Sequence, residues 1–226
     1  MKIFSITCTR DKNLSSVTQE MVDTLSSFGV DVKILVNQSS IFEAYKKGLA
    51  LCKASDKDII ILCHDDIELL DNKEEFIANL SVCSQQYTGI VGPAGTSYLG
   101  ENAVWWDHPK WEQGYHRGSV QHRKEDGTIY PTEYGRCGQV VALDGLFLAA
   151  RKEVWKKVGL NKPKYFEGNW DFYDIHYTTT SHLLGYKNCA VPIKIIHHSG
   201  GELVGRDSWH KNREAFIHNT KLPLKC

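Results

Sequence analysis

The 226-residue sequence has no excess of either charge, since Lys+Arg and Asp+Glu number 27 each. Without a net positive field there is little to hold a nucleic-acid backbone, so nucleic acid is not an expected partner. No apolar run approaches the roughly 18–20 residues needed to cross a bilayer, so no membrane span is expected. The opening MKIFSITCTRDK turns polar too early for a secretory signal, which leads to the expectation of a soluble, cytoplasmic protein. Seven cysteines, at 8, 52, 63, 83, 137, 189 and 226, form no CxxC pair. Their odd count and long spacings fit neither a structural zinc site nor a disulfide framework. Reduced, mostly buried thiols acting as small hydrophobes are expected instead. There is no repeat, low-complexity tract or linker, so a single domain over 1–226 is expected, with halves at 1–96 and 97–226.

What is present is a run of alternating elements. KIFSITC reads as a β-branched strand. A helix over roughly Val17 to Ser27 follows, with Val17, Met21, Val22 and Leu25 at near-helical spacing and Gly29 as its stop. VDVKILV is a second strand, Ile41 to Cys52 a second helix, and DIIILC a nearly unbroken apolar strand of the kind buried on both faces. This β-α-β-α-β order predicts an α/β fold with an open, mixed, mostly parallel sheet flanked by helices. A helix near Lys73 to Ser84 and the strand GIVGPAG come next. The stretch from about Ser97 to Gln139, with Trp105, Trp106, Trp111 and Tyr115, suits loops and a hairpin across a binding face. QVVALDGLFLAA reads as a strand, RKEVWKKVG as an amphipathic helix, NWDFYDIHYTTTSHLLG as a further helix and AVPIKIIHH as a last strand. Trp209 and Phe216 make the tail apolar enough to dock on the body.

In open α/β sheets ligands bind at the carboxyl ends of strands. Thr7, Thr9, Arg10 and Asp11 end the first strand, and Asn37, Gln38, Ser39 and Ser40 the second. His64-Asp65-Asp66 ends the third, and His197-His198-Ser199-Gly200-Gly201 the last. Two adjacent carboxylates at the mouth of a buried strand are costly unless a cation or hydrogen-bond donors meet them. Mg²⁺ or Mn²⁺ would suit them, and so would capping of a following helix. An imidazole from the last strand could complete a mixed site, and strand alternation selects His198 over His197. Asp171 and Asp174, three apart at a helix start, are candidates for a general base or for an N-cap. Asp144-Gly145 interrupts an apolar run, which fits either a close approach to a ligand or a bulge bonded to local amides.

Taken together, these segments resemble the GT-A glycosyltransferases, in particular the glycosyltransferase family 2-like group, from Lys2 to about Gly201. LCHDDIEL stands in place of the family's DxD-type segment and begins with His64 rather than Asp. VVALDGLFLAARKEVWKKVG corresponds to the acceptor-side Asp-Gly segment, and FEGNWDFYDIHYTTTSHLLGY to the segment of the catalytic carboxylate. IIHHSGG resembles the strand-end histidine that several members add to the metal.

The resemblance implies a GT-A (Rossmann-like) fold, a nucleotide-sugar donor (UDP-sugar favoured), Mn²⁺ or Mg²⁺, and transfer to a hydroxyl of a glycan or similar acceptor. By analogy Asp66 and His198 would bind the metal, and Asp65 and His64 would face the donor. Thr7, Thr9, Arg10, Asn37 and Ser39 would border the nucleotide. Asp174 would be the base with Asp171 in reserve, and Asp144, Gly145 and Trp170 would lie on the acceptor side. One base and one metal imply a single displacement with inversion. A sugar nucleotidyltransferase would have a glycine-rich loop where TCTRDK stands. A metal-dependent hydrolase could use the same Asp and His clusters, and a lectin-like module on a transferase scaffold could use the aromatic residues.

Overall fold

A computed structural model describes residues 1–124, 126–198 and 207–226. Ser199, Gly200 and Gly201 of the last motif lie outside the described residues.

The expected opening is present. Strand β1 (Ile3–Cys8) leads to helix α1 (Ser16–Ser27), then β2 (Asp31–Leu35), α2 (Ile41–Leu51) and β3 (Ile59–Cys63). Side-chain caps fix the helix starts, since the Ser15 hydroxyl accepts from Thr18 N and that of Ser40 from Glu43 N. β1 pairs in parallel with β2 on one side and β3 on the other. All residues of β1 and β3 are buried, which is why those sequences are apolar without alternation. After β4 (Ile67–Leu69), α3 (Lys73–Leu80) begins with a capping box between Asn72 and Glu75. β5 (Thr88–Gly92), β6 (Ala94–Thr96), β7 (Tyr98–Leu99) and α4 (His108–Glu112) lead to a hairpin of β8 (His116–Arg123) and β9 (Ile129–Gly135).

The segment read as one strand, QVVALDGLFLAA, is three: β10 (Gly138–Val140), β11 (Ala142–Leu143) and β12 (Phe147–Arg151). The break falls at Asp144-Gly145, where Asp144 Oδ1 accepts from Leu146 N at 3.3 Å and turns the chain. Helices α5 (Lys152–Val158) and α6 (Tyr173–Leu183) follow. Of AVPIKIIHH, read as the last strand, only β14 (Ile195–His197) and Ala190 are strand; Ala190 ends β13 (Lys187–Ala190), which the sequence reading missed, and Pro192 lies between the two. Helix α7 (Asp207–Asn219) docks through buried Trp209 and Phe216, and β15 (Leu224–Lys225) pairs with β7.

The main sheet has seven strands in the order β10-β13-β5-β12-β3-β1-β2. It is mixed, and the parallel share is half: three pairings are parallel and three antiparallel, because β12 enters between β3 and β5 against both. A second sheet runs β11-β6-β8-β14-β4, with β9 on the free side of β8. So the aromatic-rich middle consists of loops, the short α4 and a hairpin, as expected, and the hairpin joins this second sheet. β14 belongs to this second sheet rather than to the one holding β3, and the site forms where the two sheets meet. All seven cysteines are free thiols. Four are buried, and Cys63 Sγ takes up the interior hydroxyls of Ser5 and Thr7. No helix among the described residues is long and apolar enough to cross a membrane.

Candidate active site

A cleft of about 570 Å³ opens at the carboxyl ends of β1 and β3. Its floor is Cys8, Thr9, Arg10 and Asp11 after β1, with His64, Asp65 and Asp66 after β3. The turn residues Asp144 and Gly145, the segment from Trp170 to Ile175, and His197 from β14 complete the polar lining. Strand β9 alternates exposed and half-buried residues, and the half-buried Tyr130, Thr132 and Tyr134 face the cleft. Trp105, Trp106, Trp111 and Trp209 extend this wall. Trp106 packs on Trp209, and Trp105 and Trp111 pack on Tyr134, with ring centroids 5.0–5.8 Å apart.

At the inner end, ligand atoms of His64, Asp66 and His197 all lie within 4.8 Å of one another. Asp66 Oδ1 stands 3.7 Å from His64 Nδ1 and 3.3 Å from His197 Nε2. This oxygen is buried, and its contacts have ion-pair rather than hydrogen-bond geometry. Burial opposes ionisation of Asp66, but the two imidazoles outweigh it and hold the carboxyl at about 2. His197 is raised because Asp66 overcomes the burial that would lower it, whereas in His64 burial prevails and lowers it. One carboxylate oxygen and two imidazole nitrogens form a mixed donor set that fits a divalent ion such as Mn²⁺.

The structure places His197, not His198, beside Asp66. His198 Nε2 instead lies 3.2 Å from Glu68 Oε2, which Arg123 Nη2 also reaches at 3.1 Å. Alternation misassigned the pair because Ile195 and Ile196 are both buried, so neither face of β14 is marked by a polar residue. Asp65 and Asp66 cap no helix, since the following IEL is strand β4.

Asp174 opens α6. Burial, and next the charge of Asp144, push its carboxyl up to about 7. Burial raises Asp144 as well, and His197 partly offsets the effect. Phe172, the residue before α6, has φ of 69° and ends the loop in the left-handed region, so the helix starts at Tyr173, with Asp174 in its first turn, rather than at Asp171. Asp171 and Asp174 therefore do not share a helical face. Although Asp171 borders the cleft, its Oδ2 accepts from Ser208 Oγ at 2.6 Å and its carbonyl from Asn212, which ties the loop to α7. Gly145 permits the close approach of α6: a Cβ there would come within 2.9 Å of Asp174 Cβ and 2.8 Å of Tyr173 Cζ. The partner that requires a glycine is thus this chain's own helix.

Of the residues expected along the nucleotide, Thr9 and Arg10 line the cleft. Thr7 does not, because its hydroxyl points into the sheet at 2.9 Å from Cys63 Sγ. Asn37 and Ser39 are exposed beyond β2, outside the cleft lining. Trp170, expected on the acceptor side, lies under Arg10, whose guanidinium carbon is 4.3 Å from its ring. Sequence reasoning passed over Tyr173, Tyr134, His122 and Trp209. Of these only Tyr173 carried a signal, since it sits between the two candidate carboxylates.

Residues 4–219 match the model of a "Glycosyltransferase like family". The chain belongs to this family. This chain superposes on a crystal structure of GalNAc-T7 with UDP, GalNAc and Mn²⁺ at a TM-score of 0.55, with 12% identity over 96% of its length. It spans 42% of that chain. A crystal structure of A197 from STIV matches with a TM-score of 0.45 and 13% identity, covering 88% of this chain and 83% of that one. No curated protein matches the sequence. The fold is GT-A.

Proposed function

We propose that the protein is a metal-dependent, inverting glycosyltransferase that moves a sugar from a nucleoside-diphosphate sugar, UDP-sugar favoured, to a hydroxyl of a glycan. The observation that carries the reading is the meeting in one cleft of two unlike centres. One is the His64/Asp66/His197 donor set, and the other is Asp174, a half-buried carboxylate raised to about 7. The GalNAc-T7 structure of like fold contains UDP, GalNAc and Mn²⁺, which supports the same donor class.

His64, Asp66 and His197 would hold Mn²⁺ or Mg²⁺. A divalent ion there supplies stabilisation of negative charge on a departing diphosphate. Thr9, Arg10 and Asp65 border the donor, and Arg10 is held over Trp170 at the cleft mouth. Asp174 accepts the proton of the acceptor hydroxyl as that oxygen attacks. Its raised affinity for a proton suits it to the task near neutral pH. The aromatic wall offers flat apolar faces to acceptor sugar rings. With one base and one displaced diphosphate, transfer proceeds in a single displacement with inversion.

A thermal-shift screen of UDP, GDP, CDP and dTDP, each with and without Mn²⁺, tests the reading. A nucleotide at 100 times its Kd stabilises the native state by about 2.7 kcal/mol. UDP with Mn²⁺ is expected to raise Tm, and UDP alone to raise it much less. No shift with any nucleotide in either condition refutes the donor-site assignment.

A further inference from the structure

We infer that Tyr173 is a positioning residue that fixes the tautomer of His64 and so leaves the His64 Nδ1 lone pair free to bind the cation. This rests on the metal-dependent reading above. The Tyr173 hydroxyl has one proton, and it donates to the Gly145 carbonyl oxygen at 3.0 Å. The carbonyl can only accept. His64 Nε2 lies 2.6 Å from the same hydroxyl, so the proton of that second bond comes from Nε2. A neutral imidazole protonated at Nε2 has a bare Nδ1. That nitrogen faces Asp66 Oδ1 across 3.7 Å, so the two atoms form a pair of donors that one cation could share.

The hydroxyl is not free to turn elsewhere. The Tyr173 ring is buried against Phe42, Tyr45 and Tyr177, with centroids 5.7–6.4 Å apart. Gly145 admits its oxygen to the turn, where any side chain would collide with it. The Asp144-Gly145 turn, the start of α6 and the end of β3 are thereby linked through one phenol. A metal-binding histidine usually donates its other ring N–H to an acceptor, and loss of that partner typically costs 10–100-fold in metal affinity.

The test uses the metal-free protein with ¹⁵N-labelled histidine and reads the two-bond ¹⁵N–¹H pattern, with His64 assigned by its loss in His64→Gln. Mn²⁺ affinity is measured separately, from the free-ion electron paramagnetic resonance signal. The wild type is expected to show the Nε2–H form at His64. Tyr173→Phe, which keeps the ring, is expected to give mixed tautomers and at least a tenfold weaker Mn²⁺ affinity. A wild-type spectrum with the proton on Nδ1 overturns the inference by itself, whether or not the variant folds. So does a folded Tyr173→Phe that retains both the tautomer and the affinity. An Nε2–H wild type that binds no Mn²⁺ supports the tautomer assignment and instead overturns the metal-dependent reading.

Discussion

Replacing Asp174 with asparagine should abolish transfer and, in metal-free protein, make the fold more stable at pH 8. Burial, then the charge of Asp144, push the Asp174 carboxyl from 3.8 to about 7. Because the folded-state value lies above the unfolded one, the native state holds more protons than the unfolded chain between those limits. Stability contributed by the neutral form is therefore present at low pH and is lost as pH rises from about 4 through about 7. Each pKa unit is worth about 1.4 kcal/mol, so the whole displacement sets an upper bound of roughly 4 kcal/mol. Between pH 5 and pH 8 about two of those units remain, or roughly 2.5–3 kcal/mol. Asparagine keeps the shape and cannot ionise, and it also removes the repulsion on Asp144.

Urea unfolding in EDTA at pH 5, 6, 7 and 8 measures the effect. With a denaturant slope of about 2–3 kcal/mol per molar, the midpoint difference between variant and wild type should widen by about 1 M across that range. In the wild type with cation present, kcat/KM should rise with pH as the base deprotonates, with its inflection below the metal-free value of about 7, and the residual rate of the variant should lack that limb. A stability difference that stays flat from pH 5 to pH 8, or that favours the wild type at pH 8, would refute the assignment of Asp174 as a half-buried carboxylate with raised proton affinity.

Two further outcomes are expected. Gly145→Ala should cost about 1–3 kcal/mol by urea unfolding, because its new methyl must push against Tyr173 and Asp174. An unchanged midpoint would show that α6 does not pack this closely on the turn. His197→Ala should remove the Mn²⁺-dependent part of the thermal shift given by UDP, whereas His198→Ala should keep it, since that imidazole pairs with Glu68. Equal effects of the two substitutions would contradict the orientation of β14.

The halves of the fold were unequally legible in the sequence. The β1-to-β3 opening could be read because each buried strand is a continuous apolar run and each helix has a polar cap and apolar spacing. In the middle, the residues from 116 to 135 pair over distance into a second sheet, and local pattern does not report which strand a hairpin will join. Asp66, Asp174 and Asp144 were legible because a carboxylate in apolar surroundings is costly and so conspicuous. Thr7 was misjudged because a β-branched hydroxyl fits a strand interior as well as a ligand site, provided that a partner such as Cys63 is present. The choice between His197 and His198 needed the phase of a strand buried on both faces. The role of Tyr173 needed the contact between α6 and a turn 28 residues earlier.

Asp66 and Asp174 show how one cleft can give the same side chain two properties. Both are half-buried, and desolvation alone raises the proton affinity of each. What differs is the neighbour. Asp66 faces two imidazoles and is brought to about 2, so it stays an anion at any physiological pH and is suited to a permanent cation. Asp174 faces a second carboxylate, Asp144, and is brought to about 7, where gaining or losing a proton costs little. Pairs of like groups driven apart by their surroundings mark a division between electrostatic and proton-transfer roles. His197 joins the two centres, because it lowers both Asp66 and Asp144. Charge added at the donor end should therefore be felt at the base: a cation bound beside His197 makes an ionised Asp144–Asp174 pair less costly. The base would thus be more readily deprotonated when the cation is in place, an order of events that suits transfer over proton abstraction in an empty site.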